Sequence, residues 1–133
     1  EMSVLSEEFA QCVAHQTDKI VFITDREKVI AAAGDGLKGI VGKEISHSLE
    51  RILDDRDESL PLAERSRFIP VVEGMGGADE MKKIEQVRQM IRSNGQIIGS
   101  IIIQSKDPKY KVGEFEKKVA MVAAEFLGKQ ITI

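Results

Sequence analysis

Apolar residues run from Ile97 to Ile103 with only Gly99 and Ser100 breaking them, and the period of the pattern changes soon afterwards. The Asn94-Gly95 pair just before this run is a strong hairpin signal, because a two-residue type I′ turn needs positive φ at both central positions. Strand alternation would place Ile97, Ile101 and Ile103 on one face and Ile98 and Ile102 on the other, so both faces need cover. From Gly113 the spacing becomes helical, with Phe115, Val119, Val122 and Phe126 in a stripe. Glu114 and Glu116 in the first turn and Lys129 in the last complement the helix dipole. Asp107-Pro108 supplies the turn between strand and helix. Only Glu125 is charged between Val119 and Gly128. One face of this helix can dock on the sheet, and a second is left for another helix or another subunit.

Earlier in the chain, Met2, Leu5, Phe9, Cys12 and Val13 share a helical face, with Ala10 and Ala14 beside it. This helix is expected to pair with the C-terminal one. Ile20 to Thr24 reads as a buried strand, Asp25 to Lys28 as a polar turn and Val29 to Ala33 as a second strand, broken by Gly34, Gly36 and Gly39. Val41, Ile45, Leu49, Ile52 and Leu53 predict an amphipathic helix opened by Gly42 and closed by the charge run Asp54 to Glu58. Arg67 to Glu73 is expected to be a strand, at an edge or with a bulge because Pro70 cannot donate to a ladder. A glycine-rich loop over Gly74, Gly76 and Gly77 then leads to a half-exposed strand, Lys82 to Ile91. The pattern predicts one α+β domain, residues 1–133, with an antiparallel sheet of about five strands and both terminal helices packed on one face.

The length suits one domain, long enough to bury about two thirds of its unfolded surface. A net charge of −3, with Lys and Arg interspersed among Asp and Glu, disfavours nucleic acid as a direct partner. Cys12 is the only cysteine, so no internal disulfide is possible and a reducing compartment fits. No signal peptide or membrane-length apolar run is visible, and the cytoplasm is the expected location, with no membrane partner. The start at Glu1-Met2, directly before helical periodicity, suggests a piece of a longer protein.

Little in the chain points to catalysis. The glycines between Gly34 and Gly42 form neither a dinucleotide fingerprint nor a Gly-Lys-Ser/Thr phosphate loop. His15 and His47 have no Cys or second His at metal spacing. Asp54, Asp55, Asp57 and Glu58 lack the spacing of a calcium loop, and Cys12 sits on an apolar helix face where a small buried hydrophobe is expected. No nucleophile-base pair emerges, so no enzyme activity, metal or cofactor is predicted.

Several stretches carry a resemblance. Ile98-Gly99-Ser100-Ile101-Ile102-Ile103, Ser105-Lys106-Asp107, Gly113 to Lys118 and Val122 to Gln130 resemble the closing strand and helix of sporulation transcription regulators of the SpoVT type. Val21 to Arg26 and the stretch from Ser46 through Leu49-Glu50-Arg51 to Asp55-Arg56 are similar to earlier stretches of the same family. The resemblance implies a GAF domain that senses a small molecule and mediates oligomerisation, with DNA contacted only through an N-terminal swapped-hairpin barrel absent from this chain. Ile23-Thr24-Asp25 followed by Gly39 to Lys43 is also similar to PAS sensor domains, the alternative within one architecture. A GAF-type redox enzyme such as a methionine sulfoxide reductase is a third class, weakened by the single Cys12 because thiol redox chemistry generally needs a resolving cysteine or another thiol source.

Two sets of functional residues follow. Phe22, Ile101 and Ile103, with Ile20, are expected to form the apolar floor of an effector pocket beneath the Leu49 helix. Ser48 and Arg51 are placed to orient a small anionic or polar ligand, although Arg51 could instead pair with Asp54 or Asp55 one turn on. Leu5, Phe9, Val119, Ala120, Ala123, Ala124, Phe126 and Leu127, together with Met2, are expected to form the surface through which copies of the chain associate.

Overall fold

Two β-hairpins laid side by side form the sheet. The computed structural model describes residues 2–34, 39–55, 68–75 and 83–130. Helix α1 spans Met2–Thr17, followed by β1 (Ile20–Thr24), β2 (Val29–Ala33), α2 (His47–Asp55), β3 (Gln86–Ser93), β4 (Gln96–Gln104) and α3 (Glu114–Gln130). The strand order is β2-β1-β4-β3, antiparallel throughout, with Phe22 opposite Ile102 and flanked by the pairs Val21 with Ile103 and Ile23 with Ile101. Asn94 and Gly95 both have positive φ, 54° and 79°, as the expected hairpin turn requires.

One extra residue in β4 changes the faces. Ile91 pairs with Gly99 but Arg92 pairs with Ile97, so Ile98 is a bulge. Simple alternation is therefore corrected: Ile98 joins Ile101 and Ile103 on one face, and Ile97 turns with Ile102 to the other. At the bulge, Gly99 leaves room for the Thr24 carbonyl, into which a Cβ would run.

The terminal helices cover one face, α1 over β1 and β2 and α3 over β3 and β4. Ala10, Val13, Ala120, Ala123, Ala124 and Leu127 meet Val21, Ile23, Ile101 and Ile103 in one core. Small residues dominate the helix side because α3 lies almost on the sheet backbone, with Gly128 against the Arg92 carbonyl. Consequently Phe115, Val122 and Phe126 of the stripe are turned outward rather than down while Val119 is half-buried against the core, and Cys12, expected to be buried, is exposed. The side chain of Met2 lies outside the described residues.

Two polar struts tie the ends of these helices. At the start of α3 the Gly113 N–H donates to Glu116 Oε1 at 2.7 Å, a capping contact, and Lys19 lies 3.9 Å from the same carboxylate. Glu85 accepts from the Val112 N–H at 2.9 Å and pairs with Lys111 at 3.2 Å. The Val112 hydrogen bond holds the Glu85 carboxyl below the usual glutamate range, partly opposed by burial and helped by Lys111. Lys106 likewise donates to Asp18 at 2.9 Å and lowers its pKa.

On the opposite face the expected elements are shortened. Among the described residues the sheet has four strands, because Phe68–Glu73 forms no strand. Arg67 lies outside the described residues. Pro70 interrupts any ladder, and the Gln86 side chain takes its place: the amide donates to Ile69 O at 2.9 Å and accepts from Ile69 N at 3.2 Å. The helix predicted from Val41 starts only at His47. Gly42 has φ 95°, incompatible with a helical turn, and Val41 is exposed. Ser46 is the cap, its Oγ accepting from the Leu49 N–H at 3.0 Å. Lys82 to Ile91 was expected to be half exposed, yet Gln86 and Arg88 are buried on the α2 side of β3.

Candidate functional site

The α2 side of the sheet has its own core. Phe22, Leu49, Leu53, Val71, Val72, Met90 and Ile102 pack together beneath α2 and the segment 68–75. That segment is fastened to the helix start: Ser46 N donates to Val71 O, Ser46 Oγ to Pro70 O, and His47 N to the Glu73 carboxylate.

The residues assigned to an effector pocket are not brought together here. Phe22 lies under α2, whereas Ile101 and Ile103 sit on the other face beneath α1 and α3. Antiparallel register requires this, since Phe22 pairs with Ile102 and its neighbours point the opposite way. Ser48 and Arg51 are exposed on the outer side of α2. Asp54, a suggested partner of Arg51, is bound instead by Arg26, whose Nη1 also donates to Ile97 O at 3.1 Å. The side chain of Asp55, with Asp57, Glu58, Gly36, Gly76 and Gly77, lies outside the described residues.

Open space lies at the rim of the sheet. A groove of about 420 Å³ runs between the last turn of α2 and the β3–β4 hairpin, lined by Arg26, Leu53, Asp54, Arg92, Gly95, Gln96 and Ile97. A second, of about 530 Å³, continues over Asp25, Glu27, Glu50 and Ile98. Both meet at the Arg26–Asp54 pair. The first is lined mainly by polar and charged groups, with Leu53 and Ile97 its apolar members.

Sequence reasoning missed a buried polar row on the same face as Phe22. Gln86 Nε2 donates to Gln104 Oε1 at 3.0 Å, and Arg88 Nη1 donates to Gln86 Oε1 at 2.8 Å. Farther along, Thr24 and Ser100 hydroxyls bond each other at 2.7 Å. The signal was the alternation Gln86, Arg88, Met90 in β3, which marks a common face but not that it is covered.

The proposed association residues also divide. Ala120, Ala123, Ala124 and Leu127 are buried against the chain's own sheet, so they present no surface to a second copy. Leu5, Phe9 and Val119 are half-buried, and Phe9 stacks against Phe126 with ring centroids 5.0 Å apart. The exposed apolar residues of this layer are Val4 (60%), Phe115 (56%), Met121 (40%), Val122 (68%) and Phe126 (41%). Among the described residues no cluster of three His, Cys, Asp or Glu could hold a metal, and no helix is long and apolar enough to cross a membrane.

Comparison with known proteins places this geometry. The family model described as stage V sporulation protein T C-terminal, transcription factor, matches residues 1–132. The chain is similar to stage V sporulation protein T of Bacillus subtilis (strain 168), 33% identical over 131 residues that make up 98% of this chain and 69% of that protein. Among solved structures it is similar to the cofactor binding GAF domain of the nutrient sensor CodY from Clostridium difficile, with a TM-score of 0.68 at 14% identity, covering 95% of this chain and 83% of the other. It is also similar to the type II free methionine-R-sulfoxide reductase from Thermoplasma acidophilum, with a TM-score of 0.57 at 12% identity, covering 97% and 94%. At such identities the two structures establish the α+β, GAF-like fold and nothing of the chemistry.

Proposed function

Because this chain belongs to the family of stage V sporulation protein T C-terminal transcription factor domains, we propose that it is a non-catalytic regulatory domain, responding to a small effector and holding copies of a cytoplasmic sporulation regulator together. The observation that carries this reading is the outward stripe on α3. A helix whose inner face already docks on the sheet keeps Phe115, Val122 and Phe126 between 41% and 68% exposed. Exposed apolar patches of this kind mark association surfaces. Single-copy behaviour in light scattering for the parent chain would remove that reading. A dimer or larger assembly that Val122→Glu converts to monomer, with its circular dichroism intact, is the expected result.

Effector binding is assigned to the rim groove rather than to the packed space under α2. CodY, whose GAF domain is described as cofactor binding, lends this part its analogy. An effector at one hundred times its dissociation constant should stabilise the domain by about 2.7 kcal/mol. A thermal-shift screen of small metabolites is expected to yield such a ligand, with the shift lost in Arg26→Ala. A screen that moves nothing leaves assembly as the whole role. Contact with DNA belongs to another domain: this chain has a net charge of −3, and salt-dependent binding to promoter DNA at micromolar concentration is not expected.

The reductase resemblance does not extend to a thiol site. Cys12 is the only cysteine and lies exposed on α1, which covers the face of the sheet opposite α2.

A further inference from the structure

The two rim grooves carry opposite charge. Arg26 and Arg92 line the first against one carboxylate, Asp54, whereas Asp25, Glu27, Glu50 and Asp54 line the second with Arg26 as its cation. Asp25 is engaged within its own turn, accepting from the Glu27 and Lys28 N–H groups at 2.7 and 2.8 Å. Glu27 and Glu50 are exposed, and among the described residues neither carboxylate has an ion-pair partner. Each groove also takes one isoleucine from β4, Ile97 in the first and Ile98 in the second.

Where the grooves meet, Arg26 is fixed from both sides. Its Nη1 donates to Ile97 O at 3.1 Å and its Nη2 to Asp54 Oδ1, which ties the β1–β2 turn to both β4 and α2. A guanidinium has five N–H donors, so this side chain can keep those contacts and still donate to a ligand. Resting on the rim-groove reading above, we propose that the ligand is dipolar: a small molecule with a carboxylate at one end, an ammonium at the other and a short alkyl chain between. Its carboxylate lies in the first groove against Arg26 and Arg92, its alkyl chain on Ile97 and Ile98, and its ammonium in the second groove against Glu27 and Glu50. A simple anion reaching into both grooves would face the two glutamates, and a simple cation the two arginines, so opposed charges alone suit both.

Three probes of one chain length separate these classes. Aminohexanoate, hexanoate and hexylamine are titrated at constant ionic strength while backbone amides are followed by NMR. Aminohexanoate should move the amides of Arg26, Gly95, Gln96 and Ile97 to saturation, and deleting either charge should weaken binding about tenfold, the value of one hydrogen bond to a charged group. Exposed residues supply the matching variants. Arg92→Gln should abolish the advantage of aminohexanoate over hexylamine, and Glu27→Gln combined with Glu50→Gln its advantage over hexanoate. Hexanoate or hexylamine binding as tightly as aminohexanoate at the same amides overturns the dipolar class while leaving the groove as an effector site. Variants that keep both advantages also overturn the placement. Absence of any response to aminohexanoate overturns the dipolar class as well, and the metabolite screen with Arg26→Ala then decides the groove itself.

Discussion

At position 128 one added methyl group should reverse its usual effect. In an exposed helix interior Gly→Ala stabilises by about 1 kcal/mol, but here the new Cβ would overlap the Arg92 carbonyl of β3. Gly128→Ala is expected to lower the unfolding free energy by about 2 kcal/mol in urea titrations, as overpacking of a filled core does. Glu85 carries a different residue-level prediction. Its folded pKa lies below the ordinary value because the charged carboxylate accepts the Val112 amide. The stability it adds is therefore complete above the unfolded pKa and is lost as pH falls through the folded one. Glu85→Gln should show a shallower loss of stability than the parent between about pH 5 and 3, measured by urea midpoints at each pH. An identical slope in both proteins would exclude Glu85 as a contributor.

Elements whose pattern is set by neighbouring residues were legible in the sequence. Both strands of the first hairpin match their observed bounds, and α3 begins one residue after the helical spacing does, because apolar runs and turn residues act locally. The errors arose where one local signal overrode another. A bulge at Ile98 shifted the faces of β4, and periodicity has no means of recording an inserted residue. The apolar count around Val41 outweighed the Ser46 cap, although Ser before a helix is itself a start signal. In the segment 68–75 the apolar pattern suggested a ladder that Pro70 prevents. Gln86→Ala tests what replaced it: losing both bonds to Ile69 should cost about 2 kcal/mol and raise amide exchange in this segment well before that of β1.

Across the whole molecule the functional surfaces were harder to read than the fold. Both faces of β1 and β4 are apolar, so alternation alone could not decide which one holds the terminal helices, and Ile101 and Ile103 were grouped with Phe22 on that account. For α3 the sequence indicated two apolar faces without ranking them. Packing against the sheet backbone selects the small residues and leaves the large ones outside, which is why Val122→Glu, and not a change at buried Ala124, is the test of assembly. The rim groove was not legible at all, since it joins the β1–β2 turn, the end of α2 and the second hairpin across 71 residues of sequence. The substitute ladder at Gln86 bears on the same scale. A true edge strand would be locked into the sheet by a backbone ladder, but this flank is held by the Gln86 amide, by the backbone and hydroxyl of Ser46, by Glu73 and by the burial of Val71 and Val72. Val71 and Val72 are buried in the core beneath α2, so loosening this flank would expose apolar surface even with all four strands paired, and the segment and α2 hold or give way together.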